Sequence, residues 1–408
     1  MQHYDVIVVG GGPAGMFAAW QASLRYSRVA ILEKNTVLGK KMLITGGGRC
    51  NVTNIHQDDL LIAGIVGNGR FLHSVFSQFN NNDLIRFYET NGLKLKEENK
   101  GRMFPVTDKA QSVVDTIAKV LRQNGVTIHF NCDVQTVKTT EPLAVKTSLG
   151  MFSCDKLILT TGGKSVPQTG STGVGYQLAA QFGHTTTELF PTEVPLTSDE
   201  GFIRKKVLQG LSLYDINFSV LNQKGKPLVT HRYDLLFTHF GVSGPAALRS
   251  SQFVVKQLKK QELVTVLLDV LPDQHITAVQ AWLKGQDSNK ALKNAWKGLV
   301  SERYLLFLLT EIGLDESTPL KQLTPKQIEL MAQALKGFTF QVNGTQSLEK
   351  SFVTGGGIKL KEVDPKTMQS KFDPRLAFAG EILDIHAYTG GYNLTVAQCT
   401  GFVAGLHI

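Results

Sequence analysis

GGGPAG, residues 10–15, follows the run Tyr4-Asp5-Val6-Ile7-Val8-Val9 and opens a stretch with no glycine between Met16 and Arg25. The reading of these residues decides the fold. Apart from Asp5, residues 4–9 are apolar and mostly β-branched, the pattern of a strand buried on both faces. Residues 13–25 read as a helix, and Val29-Ala30-Ile31-Leu32 as a second buried strand that ends at Glu33. This is a βαβ unit, which builds a parallel sheet. Between its first strand and its helix, Gly10, Gly12 and Gly15 satisfy G-x-G-x-x-G. The first glycine makes the tight turn, the second lets backbone amides approach a pyrophosphate, and the third lets the helix pack closely on the strand. The helix opened by Pro13 and Ala14 supplies partial positive charge for the phosphates. Glu33 stands where a carboxylate accepts hydrogen bonds from both hydroxyls of an adenosine ribose and repels a 2′-phosphate. The ligand is therefore FAD or NAD rather than NADP.

The turn sits in a chain of 408 residues, long enough for two or three domains. Charged residues make up 19% and hydrophobic ones 42%, the balance of a well-buried globular enzyme rather than a disordered chain. The net charge of +9 suits anionic ligands, but it does not by itself make nucleic acid the expected partner. No apolar run is long enough to span a bilayer, and the N-terminus enters a strand without a charged leader, so a cytoplasmic location and no membrane partner are expected. The four cysteines, Cys50, Cys132, Cys154 and Cys399, form no C-x-x-C pair, and no metal site is expected.

Further along, a helix is expected over 109–124, capped by Asp108 and closed by Gly125, with a strand at 126–130 and a buried strand at 156–160. After Pro191 the texture becomes antiparallel β: 216–220 alternates with period two, 222–226 reads as a turn, and 262–271 as another strand. From 273 to 337 it is helical, and Thr324-Pro325-Lys326-Gln327 combines an N-cap, a first-turn proline and a capping-box glutamine. Glycine-rich strand texture returns after 350. The expected organisation is a discontinuous dinucleotide-binding domain, 1–190 and 340–408, with a β-rich insert at 191–272 and a helical subdomain at 273–339.

The rest of the chain separates FAD from NAD. An NAD dehydrogenase needs no further glycine clusters, yet this chain has TGGGRCNVTN at 45–54, TTGGKS at 160–165, FAGEILDI at 378–385 and TGGYNLTVAQCTG at 389–401. GGYNL can start a helix running to about Val403, whose N-terminal amides would stabilise the negative charge of a reduced flavin near N1 and O2. Glu381 or Asp384 could hold ribityl or pyrophosphate hydroxyls. FAD is the expected cofactor.

Together with GKKMLITGGGRCNVTN at 39–54, TGGKSVPQTGSTGVGY at 161–176 and LFTHFGVSGPAAL at 236–248, these motifs resemble the BaiN-like family of FAD-dependent oxidoreductases, which includes an aminoacetone oxidase. The motifs stand in family order over nearly the whole chain. The resemblance implies a glutathione-reductase-like, α/β FAD-binding Rossmann domain with an inserted antiparallel β domain and a small helical part. It also implies that Gly10, Gly12, Pro13, Ala14 and Gly15 hold the pyrophosphate and Glu33 the ribose, next to Lys34. Lys40 or Lys41 would reach phosphate or adenine, and Val134 would touch adenine through its backbone. Gly48, Arg49, Cys50 and Asn51 would line the flavin, and Thr161 and Gly162 would also bind the cofactor. Gly380 and Glu381 would meet the ribityl chain, and Gly391, Asn393 and Leu394 the pyrimidine edge.

Arg49, His239 and Tyr392 are the candidates for catalysis. Arg49 either neutralises substrate or flavin charge or ties loops together, His239 acts as a base or bonds turn carbonyls, and Tyr392 and His386 flank the proposed flavin helix. Cys50 is expected to pack rather than react. Lys284, Lys290, Lys293 and Lys297, interleaved with Trp282 and Trp296, read as a solvated helical face rather than a nucleic-acid patch. The expected activity is hydride transfer through flavin N5 from a small amine or amino ketone, with dioxygen as acceptor and hydrogen peroxide as product. One alternative is an NAD(P)H-dependent reductase of an unsaturated ketone or quinone, and a second is an RNA-associated flavoprotein. No second G-x-G-x-x-G follows a strand, which speaks against a separate NADPH domain.

Overall fold

The computed structural model describes residues 1–408 apart from the side chain of Asp58. The chain divides into two compact units, Met1–Phe190 with Leu348–Ile408, and Pro191–Ser347.

The first unit is built on the βαβ unit at its start. Strand β1 (Gln2–Val9), helix α1 (Pro13–Ser23) and strand β2 (Val29–Leu32) follow one another, and β2 is buried along its whole length. Helix α2 (Ala110–Gln123) leads into β3 (Thr127–His129). Then β4 (Val134–Lys138), β5 (Leu143–Thr147) and β6 (Gly150–Leu159) form an antiparallel meander. The C-terminal segment returns as β7 (Leu376–Phe378) and helix α3 (Tyr392–His407). The strand order is β3-β2-β1-β6-β5-β4, with β7 beside the inner half of β6. Strands β3, β2, β1, β6 and β7 run parallel, with Val9 opposite Leu32 on one side and Leu159 on the other. A parallel sheet covered on both faces needs strands apolar on both faces, which is why 6–9, 29–32 and 157–159 read as unbroken apolar runs. This is a Rossmann-type sheet, and the glycine turn leaves it at the carboxyl end of β1, where such sheets bind ligands.

Asp108 does not cap α2. Its backbone is left-handed, with φ +52°, and its carboxylate bonds Lys96 and Arg49 while Lys109 takes the N-cap position without a side-chain cap.

The second unit is one antiparallel sheet with helices. Its strands run in the order 338–342, 264–269, 212–221, 227–237, 241–243, 196–197, 344–345. Residues 340–347, assigned by texture to the first unit, belong here, because Phe340 pairs with Val266 and Thr345 with Leu196. The helices at 276–284, 302–311 and 325–337 are not a subdomain of their own. Leu283, Trp296, Tyr304, Leu308 and Met331 share one core with Phe218, Phe237 and Val266 of the sheet. The expected capping box is formed, Gln327 N donating to Thr324 Oγ1 and Thr324 N to Gln327 Oε1. Among the described residues no helix is long and apolar enough to cross a membrane.

Candidate functional site

Two helix N-termini organise the first unit. A Cβ on Gly401 would lie 2.2 Å from the Ala14 carbonyl oxygen, and one on Gly405 would lie 2.1 Å from that of Ala18. Helices α1 and α3 therefore pack backbone to backbone, and since both pairs advance by four residues they run parallel. Helix α3 begins nine residues before Gly401, whereas α1 begins one residue before Ala14, so α3 extends about 12 Å further at its N-terminus. Neither N-terminus carries a side-chain cap or a first-turn acid. The first amides of a helix have no intrahelical acceptor and attract negative charge. Two such starts, offset along one line, fit the two electron-rich parts of FAD, the pyrophosphate and the pyrimidine edge of the flavin.

At the first start, Gly10 has φ +103°, and its amide donates to Leu32 O, tying the turn after β1 to the end of β2. A Cβ on Gly15 would lie 1.9 Å from Gly10 O, so only glycine permits this approach of helix to strand. A Cβ on Gly12, by contrast, would meet nothing within 4 Å. That open space above α1 could admit a pyrophosphate.

Glu33, buried at the end of β2, holds the turn together. Its Oε2 accepts from Gly11 N at 2.6 Å, and its Oε1 accepts from Asn35 N at 2.7 Å and Asn35 Nδ2 at 2.6 Å. A carboxylate offers about four acceptor positions, so these three bonds leave room for about one ribose hydroxyl rather than the two expected from the sequence. Lys40 donates to Asn35 Oδ1 at 3.0 Å, and Lys34 lies 4.0 Å from Asp133. Cys132 N donates to Glu33 O and Asn131 N to Asn35 O, which brings the segment leading into β4, and with it Val134, towards the end of β2.

Between the two starts lies a polar knot. Gly380, with φ +79°, sits on the first turn of α1, so that an added Cβ would lie 2.9 Å from Ala14 Cβ. The next residue, Glu381, accepts from Lys41 Nζ at 3.0 Å, Ser165 Oγ at 3.1 Å and Thr354 N at 2.8 Å. Lys41 also donates to Ser165 Oγ at 2.7 Å. Burial pushes the Glu381 carboxyl up, but the Lys41 ammonium and the Thr354 and Ser165 hydrogen bonds outweigh it and hold the group below the ordinary carboxylate range. Thr161 Oγ1, beside Gly162, is buried without a hydrogen-bond partner among the described residues and packs on Gly175, where an added Cβ would lie 1.9 Å from it. Ser165 and Thr354 were not singled out from the sequence, although both lie in its glycine clusters.

At the second start, residues 46–48 and Cys50 are all left-handed, with φ from +57° to +84°. Gly47 and Gly48 have open space where a Cβ would be. Asn51, in the orientation that satisfies both ends of its amide, accepts from Gly391 N at 2.9 Å and donates to Thr53 O and Met103 O. It therefore ties this loop to α3. The Asn393 side chain bonds Ala387 N and O, so only the backbone amides of Asn393 and Leu394 could serve a flavin edge. Tyr392, the first residue of α3, is buried, with its hydroxyl 2.8 Å from His56 Nδ1.

The remaining candidates are placed as follows. Arg49 is bidentate on Glu98, at 2.7 and 3.2 Å, reaches Asp108 at 3.3 Å and lies 4.1 Å over the Phe104 ring. Its guanidinium is occupied in joining loops rather than offered as a substrate charge. Burial pushes the Cys50 thiol up to about 12, against a weak opposing hydrogen bond from Thr45, which leaves it no nucleophile. His386 is buried with its ring edge-on to Phe190 at 5.5 Å. His239 is exposed in the second unit, its ring edge-on to Phe240 at 5.0 Å.

The family described as HI0933-like protein Rossmann domain matches residues 4–407. The chain is 31% identical over 398 residues to the ribosomal RNA dihydrouridine synthase of Escherichia coli (strain K12), covering 96% of this chain and 95% of that one. It is 28% identical over 405 residues to the 3-dehydro-bile acid delta(4,6)-reductase of Clostridium scindens, covering 98% and 97%. Among solved structures, 3-ketosteroid delta1-dehydrogenase from Sterolibacterium denitrificans aligns with a TM-score of 0.54 at 14% identity, covering 100% of this chain and 99% of that one, a likeness of fold.

Proposed function

The chain belongs to the HI0933-like Rossmann family of FAD-dependent oxidoreductases, and from that premise we propose that it reduces a carbon–carbon double bond conjugated to a carbonyl, with uracil rings of RNA as the substrate class. The observation that carries this reading is a shared bond in two unlike relatives. Conversion of uridine to dihydrouridine saturates the C5–C6 bond conjugated to the C4 carbonyl. The bile acid reductase acts on double bonds conjugated to the 3-ketone. The molecules differ and the reacting group does not. The net charge of +9 favours the polyanion of the two. Amine oxidation with dioxygen, expected from the sequence, shares the flavin but is the activity of neither relative by name, and it takes second place.

Bound FAD would supply the hydride, and a nicotinamide would restore it, so that one NAD(P)H and one proton are consumed for each double bond saturated. The chain's own residues bind and orient. The amides at the start of α1 take the pyrophosphate, and Glu33 takes one ribose hydroxyl. The Lys41–Glu381 pair fixes the stretch between. The Asn393 and Leu394 amides stabilise negative charge at the pyrimidine edge. Tyr392 with His56 is the hydroxyl–imidazole pair assigned to hold the proton that completes the reduction. Incubation of the holoenzyme with NADPH and a uridine-rich RNA should yield nucleosides heavier by two hydrogens. Conversion of aminoacetone with release of peroxide, and none of RNA or of an enone, would overturn the reading.

A further inference from the structure

The inserted unit carries a lysine-flanked groove for which the flavin site has no use. Its sheet ends in a hairpin whose tip, 222–226, is held rigid by one side chain: Asn222 Oδ1 accepts from Lys224 N at 2.9 Å and from Lys226 N at 3.0 Å. Gly225, with φ +73°, completes the turn. The strand before the tip pairs with 264–269, which brings the loop after the helix Pro245–Leu258 alongside. Leu221, Asn222, Gln223, Gln261, Thr265 and Gln341 line a shallow open groove of about 500 Å³ between them, a volume in the range of small-ligand sites. Leu221 and Leu263 share the lining with the amides of Asn222, Gln223, Gln261 and Gln341 and the Thr265 hydroxyl, groups that bond base edges, and Gln341 is fixed by a 3.0 Å bond to Thr265.

Lys224 and Lys226 are exposed in the hairpin tip that contributes Asn222 and Gln223 to the groove, and Lys259 and Lys260 are exposed just before Gln261, next to one acid, Glu262. Lys224, Lys226 and Lys260 have no carboxylate partner among the described residues. Lysines 259 and 260 follow a helix C-terminus, where cations are favourable in any protein, but the hairpin tip has no such reason for two. Some other basic residues of the unit are paired with carboxylates, Lys336 with Asp269 at 2.7 Å among them. Lys293 bonds Glu316 at 2.9 Å, Lys290 lies 4.0 Å from Asp287, and Trp296 is fully buried. The lysine–tryptophan stretch is thus a structural helix face.

We propose that this groove docks an unpaired segment of RNA, the lysines taking phosphates and the amide-lined floor the bases. The proposal rests on RNA being the substrate and names where a strand is held. Unpaired RNA is the form whose base edges such a groove can reach.

The test uses the holoenzyme and its Lys224→Gln/Lys226→Gln/Lys260→Gln variant, with a uridine-rich single-stranded RNA oligonucleotide as probe. The variant should bind the RNA at least about tenfold more weakly at moderate salt, and its log K against log salt slope should be shallower by about 2. Its rate with a soluble enone or free uridine should equal that of the parent. Equal affinity and equal slope in parent and variant would overturn the groove, as would failure of the parent to bind RNA. Failure of the reading beneath it shows separately, as no reduction of RNA, uridine or enone by a parent that binds RNA normally. A Lys284→Gln/Lys297→Gln control should bind as the parent does, and a loss there matching that of the triple variant would also count against the groove.

Discussion

Replacement of Gly12 by alanine separates the cofactor's space from the protein's own packing. Gly12 is the N-cap of α1 with φ −78° and ψ −175°, a conformation open to any residue, and its added Cβ meets nothing within 4 Å. In the apoprotein two small terms oppose each other. Alanine restricts the unfolded chain, which stabilises by roughly 0.4–1 kcal/mol, and it caps a helix less well than glycine, at a cost of about 0.5–1 kcal/mol. The melting temperature of apoprotein should therefore move by no more than about 2 °C. With FAD the same methyl group stands where the pyrophosphate approaches the helix. Overpacking at close contact costs about 1–3 kcal/mol, which is roughly a 5- to 150-fold weaker dissociation constant. Fluorescence titration of apoprotein with FAD measures the second quantity and thermal unfolding without FAD the first. Unchanged FAD affinity would refute the placement of the cofactor over α1. Apoprotein destabilised by several degrees would refute the claim that the space is empty of protein.

Gly15→Ala should reverse that pattern, because its Cβ would lie 1.9 Å from Gly10 O and 2.6 Å from Thr160 Oγ1. The apoprotein should lose about 1–3 kcal/mol or more in denaturant unfolding, and unchanged stability would show that turn and helix are looser than described. Gly401→Ala forces α3 off α1, since 2.2 Å must open by roughly 1 Å to reach normal contact. Apoprotein and holoprotein should both melt lower, whereas an effect confined to the holoprotein would count against the backbone contact. His231 titrates at about 4, pushed down by burial and then by the Arg249 guanidinium. The unfolded chain takes this proton near 6.5 and the folded one near 4, so stability present above pH 6.5 falls across that window, by up to about 3 kcal/mol. Unfolding of His231→Gln in urea should lose correspondingly less between pH 7 and pH 4, and parallel profiles would remove His231 as the cause. Cys50→Ser should keep the turnover of the parent, and alkylation of native protein at neutral pH should spare Cys50, because its thiol is held at about 12.

The parallel sheet and its glycine turn were legible because each rests on a local pattern. Residues 6–9 and 29–32 are unbroken apolar runs bounded by glycine or an acid, and a period-two wet strand does not look like that. The capping box at 324–327 was legible for the same reason, being complete within four residues. The unit boundary near 340 was not, because it is drawn by the pairing of 338–342 with 264–269 across some seventy residues of chain, and both segments read simply as strands. The helices at 276–337 looked separable because sequence shows their amphipathic pattern and not the sheet against which Trp296 and Met331 are buried.

In the site, residue types were legible and partners were not. Asp108 reads as a cap wherever a helix follows, but two cations nearby in space, Lys96 and Arg49, hold its carboxylate elsewhere. Glu33 reads as a ribose acceptor, and only the turn brought back onto it shows that three amide-type donors already occupy most of its lone pairs. Arg49 in a glycine cluster invites a catalytic role until Glu98, almost fifty residues on, is seen to hold it. The Lys41–Ser165–Glu381 knot joins three distant segments, each marked only by nearby glycines.

The most direct measurement is anaerobic. The holoenzyme is reduced with just enough dithionite to bleach the visible flavin band, and return of the band is followed on adding a uridine-rich RNA, a conjugated enone or water alone. Return with RNA or the enone, and none with water, is the result expected of a flavin enzyme that saturates a conjugated double bond. A band that stays bleached with both and returns at once in air, in an enzyme whose oxidised form aminoacetone bleaches, would contradict the account and make the protein an oxidase.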